Sequence, residues 1–154
     1  MCWNSKRPTK KQIAKDDFYV YKIVRKTNTT IESFYESFKY ELGHLYSVPK
    51  SLEINYKAEC FYIVEGFHSY KNKPTLKTSI INSKPRRVFD VGITRQGFDI
   101  QYFSSNSCIM TCKIPKGTTY YVNEEREIVS ESLIPIEISL TLQDYNDTRN
   151  RKNL

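Results

Sequence analysis

Between Glu65 and Asp90 the chain carries no acidic residue, yet Lys71, Lys73, Lys77, Lys84, Arg86 and Arg87 stand there, six cations within 17 positions. Fixed positive charge at this density suits phosphates or another anionic surface, and the planar forks of Arg86 and Arg87 suit bidentate phosphate contacts. The aromatic residues Phe67 and Tyr70, with His68 between them, precede the run in "VEGFHSYKNK" (64–73) and offer ring faces on which a base could stack. A solvated basic loop after a strand end is the other reading of the same residues.

The remaining chemistry-bearing residues are sparse. There are two histidines, His44 and His68, and no serine or cysteine near them in a nucleophile context, so no triad is indicated. His44 follows Gly43 in a turn and reads as a surface residue, and His68 as a strand-end histidine. Neither a Walker A loop nor G-x-G-x-x-G occurs, which leaves no standard NTP or dinucleotide cradle. Cys108 and Cys112 are spaced C-x₃-C. On a strand that spacing puts both thiols on one face with Met110, but about 13 Å apart, too far to share a metal. They read as buried apolar thiols, and no metal is expected. Glu124, Glu125, Glu127 and Glu131 crowd "YYVNEEREIVSE" (120–131). They read either as a solvated hairpin whose charges protect an edge strand, or as a carboxylate pair, Glu125 and Glu127, opening a strand.

Alternating or β-branched and aromatic runs predict strands at 17–26, 33–46, 53–67, 86–93, 98–103 and 107–114, and a series from 118 to 142. The 53–67 strand is expected to be buried on both faces between Cys60 and Val64, with Gly66 bending the chain after it. "IPKG" (114–117) has the pattern of a type I turn. "TLKTSIINS" (75–83) reads as the one short helix. Thr94 to Gly97 make a hairpin-length connection. Pro135 marks an edge strand or a bulge, and an edge there would allow self-association as a structural protein.

A chain of 154 residues with twelve Tyr, eight Phe, 39% hydrophobic and 27% charged residues is long enough for one well-packed core and leans toward strand. The expected organisation is a flexible basic arm at 1–15, one globular domain at 16–143 and a frayed polar tail at 144–154. The fold class is α+β, a mostly antiparallel, strongly curved sheet with one or two short helices. Net charge is +7, carried by the first hundred residues (18 Lys/Arg against 10 Asp/Glu), while the remainder is nearly balanced (6 against 7). This asymmetry points to an anionic partner, a nucleotide, a nucleic acid or an acidic protein face. No apolar run reaches membrane-span or signal-peptide length, so a cytosolic chain with reduced cysteines is expected.

The order of landmarks resembles a family of small proteins of unassigned activity from gut bacteria and their phages. The matching features are "MC" at the start, "VYKIVRK" (20–26), "KYELGHLY" (39–46), "EGFHSY" (65–70) and "CKIPKGTTYYVN…EIVSESLI" (112–134). The resemblance implies a compact domain encoded in a phage or mobile element and acting in the host cytosol, a setting that suits an inhibitor or sequestering protein. "IPKGTTYYVNEEREIV" (114–129) is also similar to the turn and E-x-E motif of mono-ADP-ribosyltransferases. That similarity implies NAD as cofactor, Glu127 as the catalytic carboxylate stabilising an oxocarbenium-like transition state and Glu125 as the orienting one. The family's early-strand arginine would fall at Lys22 or Arg25, and Ser69 alone stands where the family has Ser-Thr-Ser. The leading reading is a non-enzymatic protein that binds an anionic partner through residues 67–87, with no cofactor.

Overall fold

The computed structural model describes residues 3–33, 38–95, 98–102 and 104–152. Cys2, the Phe34–Ser37 part of the expected 33–46 strand and the Gln96-Gly97 end of the expected connection lie outside them. In chain order the strands are β1 (Trp3–Ser5), β2 (Gln12–Ile13), β3 (Phe18–Lys26), β4 (Ile31–Ser33), β5 (Lys39–Tyr40), β6 (Tyr46–Ser47), β7 (Asn55–Lys57) and β8 (Cys60–Ile63). They continue as β9 (Phe67–Tyr70), β10 (Thr75–Ile81), β11 (Lys84–Arg95), β12 (Phe98–Tyr102), β13 (Ser107–Ile114), β14 (Thr119–Val122), β15 (Glu127–Ser130) and β16 (Ser132–Ile138), and the helix α1 (Leu142–Lys152) follows. Every pairing is antiparallel. Among the described residues the architecture is therefore mostly β with a single short helix, and the α+β label overstates the helix.

The centre is the β3–β13 ribbon, paired over eight positions from Ser107↔Arg25 to Ile114↔Phe18. Side chains alternate across a strand, so Val20 and Val24 share a face with Cys108, Met110, Cys112 and Ile114, all buried in one core cluster. Ile23 and Ile109 point the other way, into a second cluster with Tyr70, Phe89, Val91 and Leu142. The ribbon is thus covered on both sides.

Ten strands form one ladder, β2-β14-β15-β9-β3-β13-β16-β6, with β4 added to β3 and β5 to β4. β15 and β16 stand four strand steps apart in it, about 19 Å if the sheet were flat. Yet Glu131 alone separates them in sequence, a reach of at most about 7 Å. The sheet must curl on itself. Pro135 lies at the bend: the β13–β16 register shifts there, pairing Thr111 with Glu137 but Cys112 with Pro135. The Pro135 carbonyl accepts the N–H of Gly43 at 2.6 Å, so this edge is partly covered.

Several expectations give way. The 33–46 segment is not one strand: β4 and β5 pair with each other, and a turn at Glu41–His44, with Gly43 at φ +82, separates them from β6. The 53–67 segment is a hairpin, because Ala58 and Glu59 both take left-handed φ (53 and 61) and fold β8 back on β7. Its Cys60–Val64 portion is not buried on both faces, since Val64 is exposed. The expected helix at 75–83 is strand β10, and the type I turn closes one residue later. There the N–H of Thr118 bonds the Pro115 carbonyl and Gly117 supplies φ +89, the type II arrangement.

The ends also differ from expectation. Trp3 is buried with Leu52, Ile63, Tyr121 and Val129, so the arm is docked at β1 rather than flexible there. The tail forms α1, capped because Thr141 Oγ1 accepts the N–H of Asp144 while the Asp144 carboxylate accepts the N–H of Thr141. Leu142 is buried, and the Tyr145 ring meets Phe89 edge-on at 6.3 Å.

Cys108 and Cys112 are buried free thiols, and burial lifts their pKa from 9.0 to about 11 and about 12. Lys22, on the same face, buries its ammonium end while the residue as a whole keeps some exposure. Its Nζ donates to the His68 carbonyl and lies 6.0 Å from the Tyr40 ring centre. Loss of water drops its pKa from 10.5 to about 8. The two effects have opposite signs. From pH 8 upward the unfolded lysine holds more proton than the folded one, so stability rises with pH. Above pH 9 two unfolded thiols lose protons that the folded state keeps, so stability falls. Unfolding free energies from urea titrations between pH 7.5 and 10.5 are expected to peak near pH 9, rising by about 0.4 kcal/mol per pH unit below it and falling by about 1 kcal/mol per pH unit above it. The double variant Cys108→Ala/Cys112→Ala should keep the rising limb and lose the falling one. An unchanged fall above pH 9 would contradict the buried thiols.

Candidate functional site

The basic run maps onto the stem and hairpin of β10 and β11. Thr and Ile favour extended backbone, and Asn82-Ser83 close the hairpin with φ 52 and 63, the two left-handed residues of a type I′ turn. Seven pairs run from Thr75↔Asp90 to Ile81↔Lys84. Register then sorts the cations by face. Lys77, Lys84 and Arg86 lie on one face with Ser79 and Ile81. Arg87 lies on the other, with Leu76 and Phe89, whose side chains meet the core. Arg86 and Arg87 therefore do not act as one double fork.

Lys77 is bound by Asp90, Nζ to Oδ2 at 3.1 Å. The Gly92 N–H, together with Lys77, holds the Asp90 carboxyl below its usual range despite some burial. By contrast, Lys71, Lys73, Lys84, Arg86 and Arg87 form no ion pair among the described residues. All but the half-buried Arg87 are exposed.

Beside the hairpin lies a cleft of ≈ 420 Å³. Tyr70, Lys73 and Thr75 form one wall, Asp90 to Gly92 the base, and Glu124, Glu125 and Arg126 the opposite wall. Its charge is mixed. The acidic wall is a turn built by Asn123, whose Oδ1 accepts the N–H groups of Glu125 (3.0 Å) and Glu127 (2.9 Å). Arg126 then takes φ 60, a conformation that favours glycine. The N-terminal strand ties this turn down. Burial raises the Glu124 pKa, but hydrogen bonds from Ser5 Oγ and the Lys6 N–H outweigh it and bring it below the usual range.

The aromatic stacking platform does not form. Phe67 packs into the aromatic core, its ring 6.2 Å from Phe38 and 6.5 Å from Tyr46, and Tyr70 is buried with only an edge at the cleft. Both belong to β9, which pairs with β15 on one side and touches β3 on the other, so its side chains fill the core faces. His68, half-buried, shares this strand and accepts Lys22 through its backbone carbonyl. His44 is exposed, its ring centre 4.6 Å from that of Tyr46.

The E-x-E pair also divides. Glu125 lines the cleft. Glu127 is buried, and its Oε1 accepts Asn123 Nδ2 at 2.9 Å, so it serves the turn and is not turned to a ligand. β15 is interior rather than an edge, which removes the charge-protection role as well. Lys22, expected at the arginine position of a transferase, points into the core. Arg126→Gly, which relieves the left-handed strain, is expected to raise the urea midpoint by the equivalent of about 1 kcal/mol. A loss of stability would show that the Arg126 side chain carries a structural contact.

Sequence reasoning passed over Trp3, Asp90, Asn123 and Arg126. Only Asn123 left a signal, as an Asn heading a polar turn. Among the described residues no group of three or more His, Cys, Asp or Glu is placed to hold a metal ion, and no helix is long and apolar enough to cross a membrane. No protein-family model matches the chain, and no curated protein or solved structure matches it either.

Proposed function

We propose that this chain is a non-enzymatic binding protein that docks an anionic partner on its β10–β11 hairpin and the stem before it. The observation that carries this reading is the group of cations at 71–87, exposed for the most part and without ion pairs among the described residues, next to Lys77, which an acid neutralises. Charges left bare in this way repel one another. They gain most from a polyanion, whose condensed counterions are released on binding. Under the phage-like setting that the sequence resemblance implies, such a protein acts by inhibiting or sequestering its target.

The test is salt elution from an immobilised sulfated polyanion. Lys84→Glu/Arg86→Glu is expected to elute at clearly lower salt, with a Tm within about 2 °C of the parent, because both side chains are exposed. Unchanged elution would overturn the site. A large drop in Tm would call for Lys84→Gln/Arg86→Gln, which removes charge without adding repulsion.

A further inference from the structure

The distal half of the hairpin has a shape as well as a charge. Among the described residues β12 pairs with β11 from Phe89 onward, and α1 reaches β11 at Arg87, whose N–H bonds Asn146 Oδ1 at 3.1 Å. Beyond that point, among the described residues, Ser79↔Arg86, Ile80↔Pro85 and Ile81↔Lys84 form a two-stranded ribbon on its own. Thr78, Ile80 (70% exposed) and all of Asn82 to Arg86 face solvent. Two strands about 4.8 Å apart with their side chains match the major groove of B-DNA, about 12 Å wide, which admits such a ribbon.

From this geometry we infer that the anionic partner is duplex DNA, entered through its major groove by the β10–β11 ribbon. The inference rests on the anion-docking reading and deepens it. The face bearing Arg86 carries Ser79 directly opposite and Lys84 one pair further out. Arg86 is placed to present its fork to guanine O6 and N7, with Ser79 beside it as a second hydrogen-bonding group. Lys71 and Lys73, in the stem, meet phosphates, which set position rather than sequence. A-form RNA is a poor fit, because its major groove is deep and too narrow for side chains to read.

The experiment is fluorescence anisotropy with three probes: a mixed-sequence DNA duplex of about 20 base pairs, the same sequence as duplex RNA, and linear polyphosphate of similar charge, all near 100 mM salt. Dimethyl sulfate footprinting of guanine N7 follows. The DNA duplex is expected to bind at least about tenfold tighter than the RNA duplex, with guanine N7 protected. Arg86→Ala is expected to lose about tenfold in affinity together with the protection. Arg86→Lys, which keeps the charge and a donor but not the planar fork, should keep the salt dependence and protect guanine N7 less completely. Equal affinity for all three probes, or DNA binding with N7 unprotected, overturns groove entry and leaves the anion-docking reading standing. No binding to any of the three overturns both.

Discussion

Gly66→Ala is expected to lower the unfolding free energy by about 2–4 kcal/mol, the sum of overpacking and left-handed strain. Gly66 sits at φ +103, and a Cβ there would lie 2.6 Å from Val129 Cγ2, 2.9 Å from Leu52 Cδ2 and 3.2 Å from the Ser130 carbonyl. Val129 cannot yield easily, because it is buried against Trp3, Leu52, Ile63 and Tyr121. Gly43→Ala is the control: φ is +82, but nothing lies within 4 Å of its Cβ position, so it should lose only about 1 kcal/mol of backbone strain. Urea unfolding of the two variants separates strain from packing. Equal losses would mean that the close approach of β9 to β15 is absent. Gly66 immediately precedes β9, so the same contact fixes where the basic stem leaves the core.

The sequence showed most of the central sheet because those strands carry their own signals. β3 is dense in Val, Ile and Tyr, β13 carries Ile, Met and two Cys, and Pro115 and Gly117 punctuate the turn before β14 as Pro135 does the bulge in β16. The misses follow from absent or overridden signals. Ala58 and Glu59 are not turn formers, yet pairing of β8 with both β7 and β1 holds them in left-handed conformations. For 75–83 the signal was present, since Thr, Ile and a closing Asn-Ser are hairpin chemistry, and cross-strand pairing with β11 prevailed over the helical reading. Thr141 to Asp144 spell a capping box, but the polar sequence after it shows no long apolar stripe, and two residues, Leu142 and Tyr145, dock the helix.

At the candidate site, charge was legible and geometry was not. The run of cations could be counted along the chain, but which face each occupies depends on the β10–β11 register. The cleft joins Lys73 to Glu124 and Arg126, residues some fifty positions apart, through β9 and β15. No local pattern encodes that juxtaposition. Phe67 and Tyr70 misled for a related reason: an aromatic beside a basic run reads as a stacking surface until both faces of its strand prove to be covered.

Trp3→Ala should cost about 3–5 kcal/mol, a large share of the stability of a domain of this size. Trp3 is 1% exposed, its ring centre lies 6.3 Å from that of Tyr121, and its Nε1 donates to the Glu127 carbonyl at 2.9 Å. Trp3→Phe keeps most of the apolar contact but removes that donor, and leaving a buried carbonyl unpaired costs about 1–3 kcal/mol. The consequence reaches the cleft, because β1 also supplies the Asn4 carbonyl to Asn123 Nδ2 at 2.8 Å and Ser5 Oγ to Glu124 at 2.6 Å. Loosening β1 therefore frees the turn that forms the acidic wall. Hydrogen exchange at 123–127 is expected to accelerate in Trp3→Ala beyond what its lower global stability accounts for. A loss below about 1 kcal/mol with unchanged exchange would return the first residues to the flexible arm that their composition suggests. The fold instead makes that basic, polar-looking start a structural part of the wall facing Lys73.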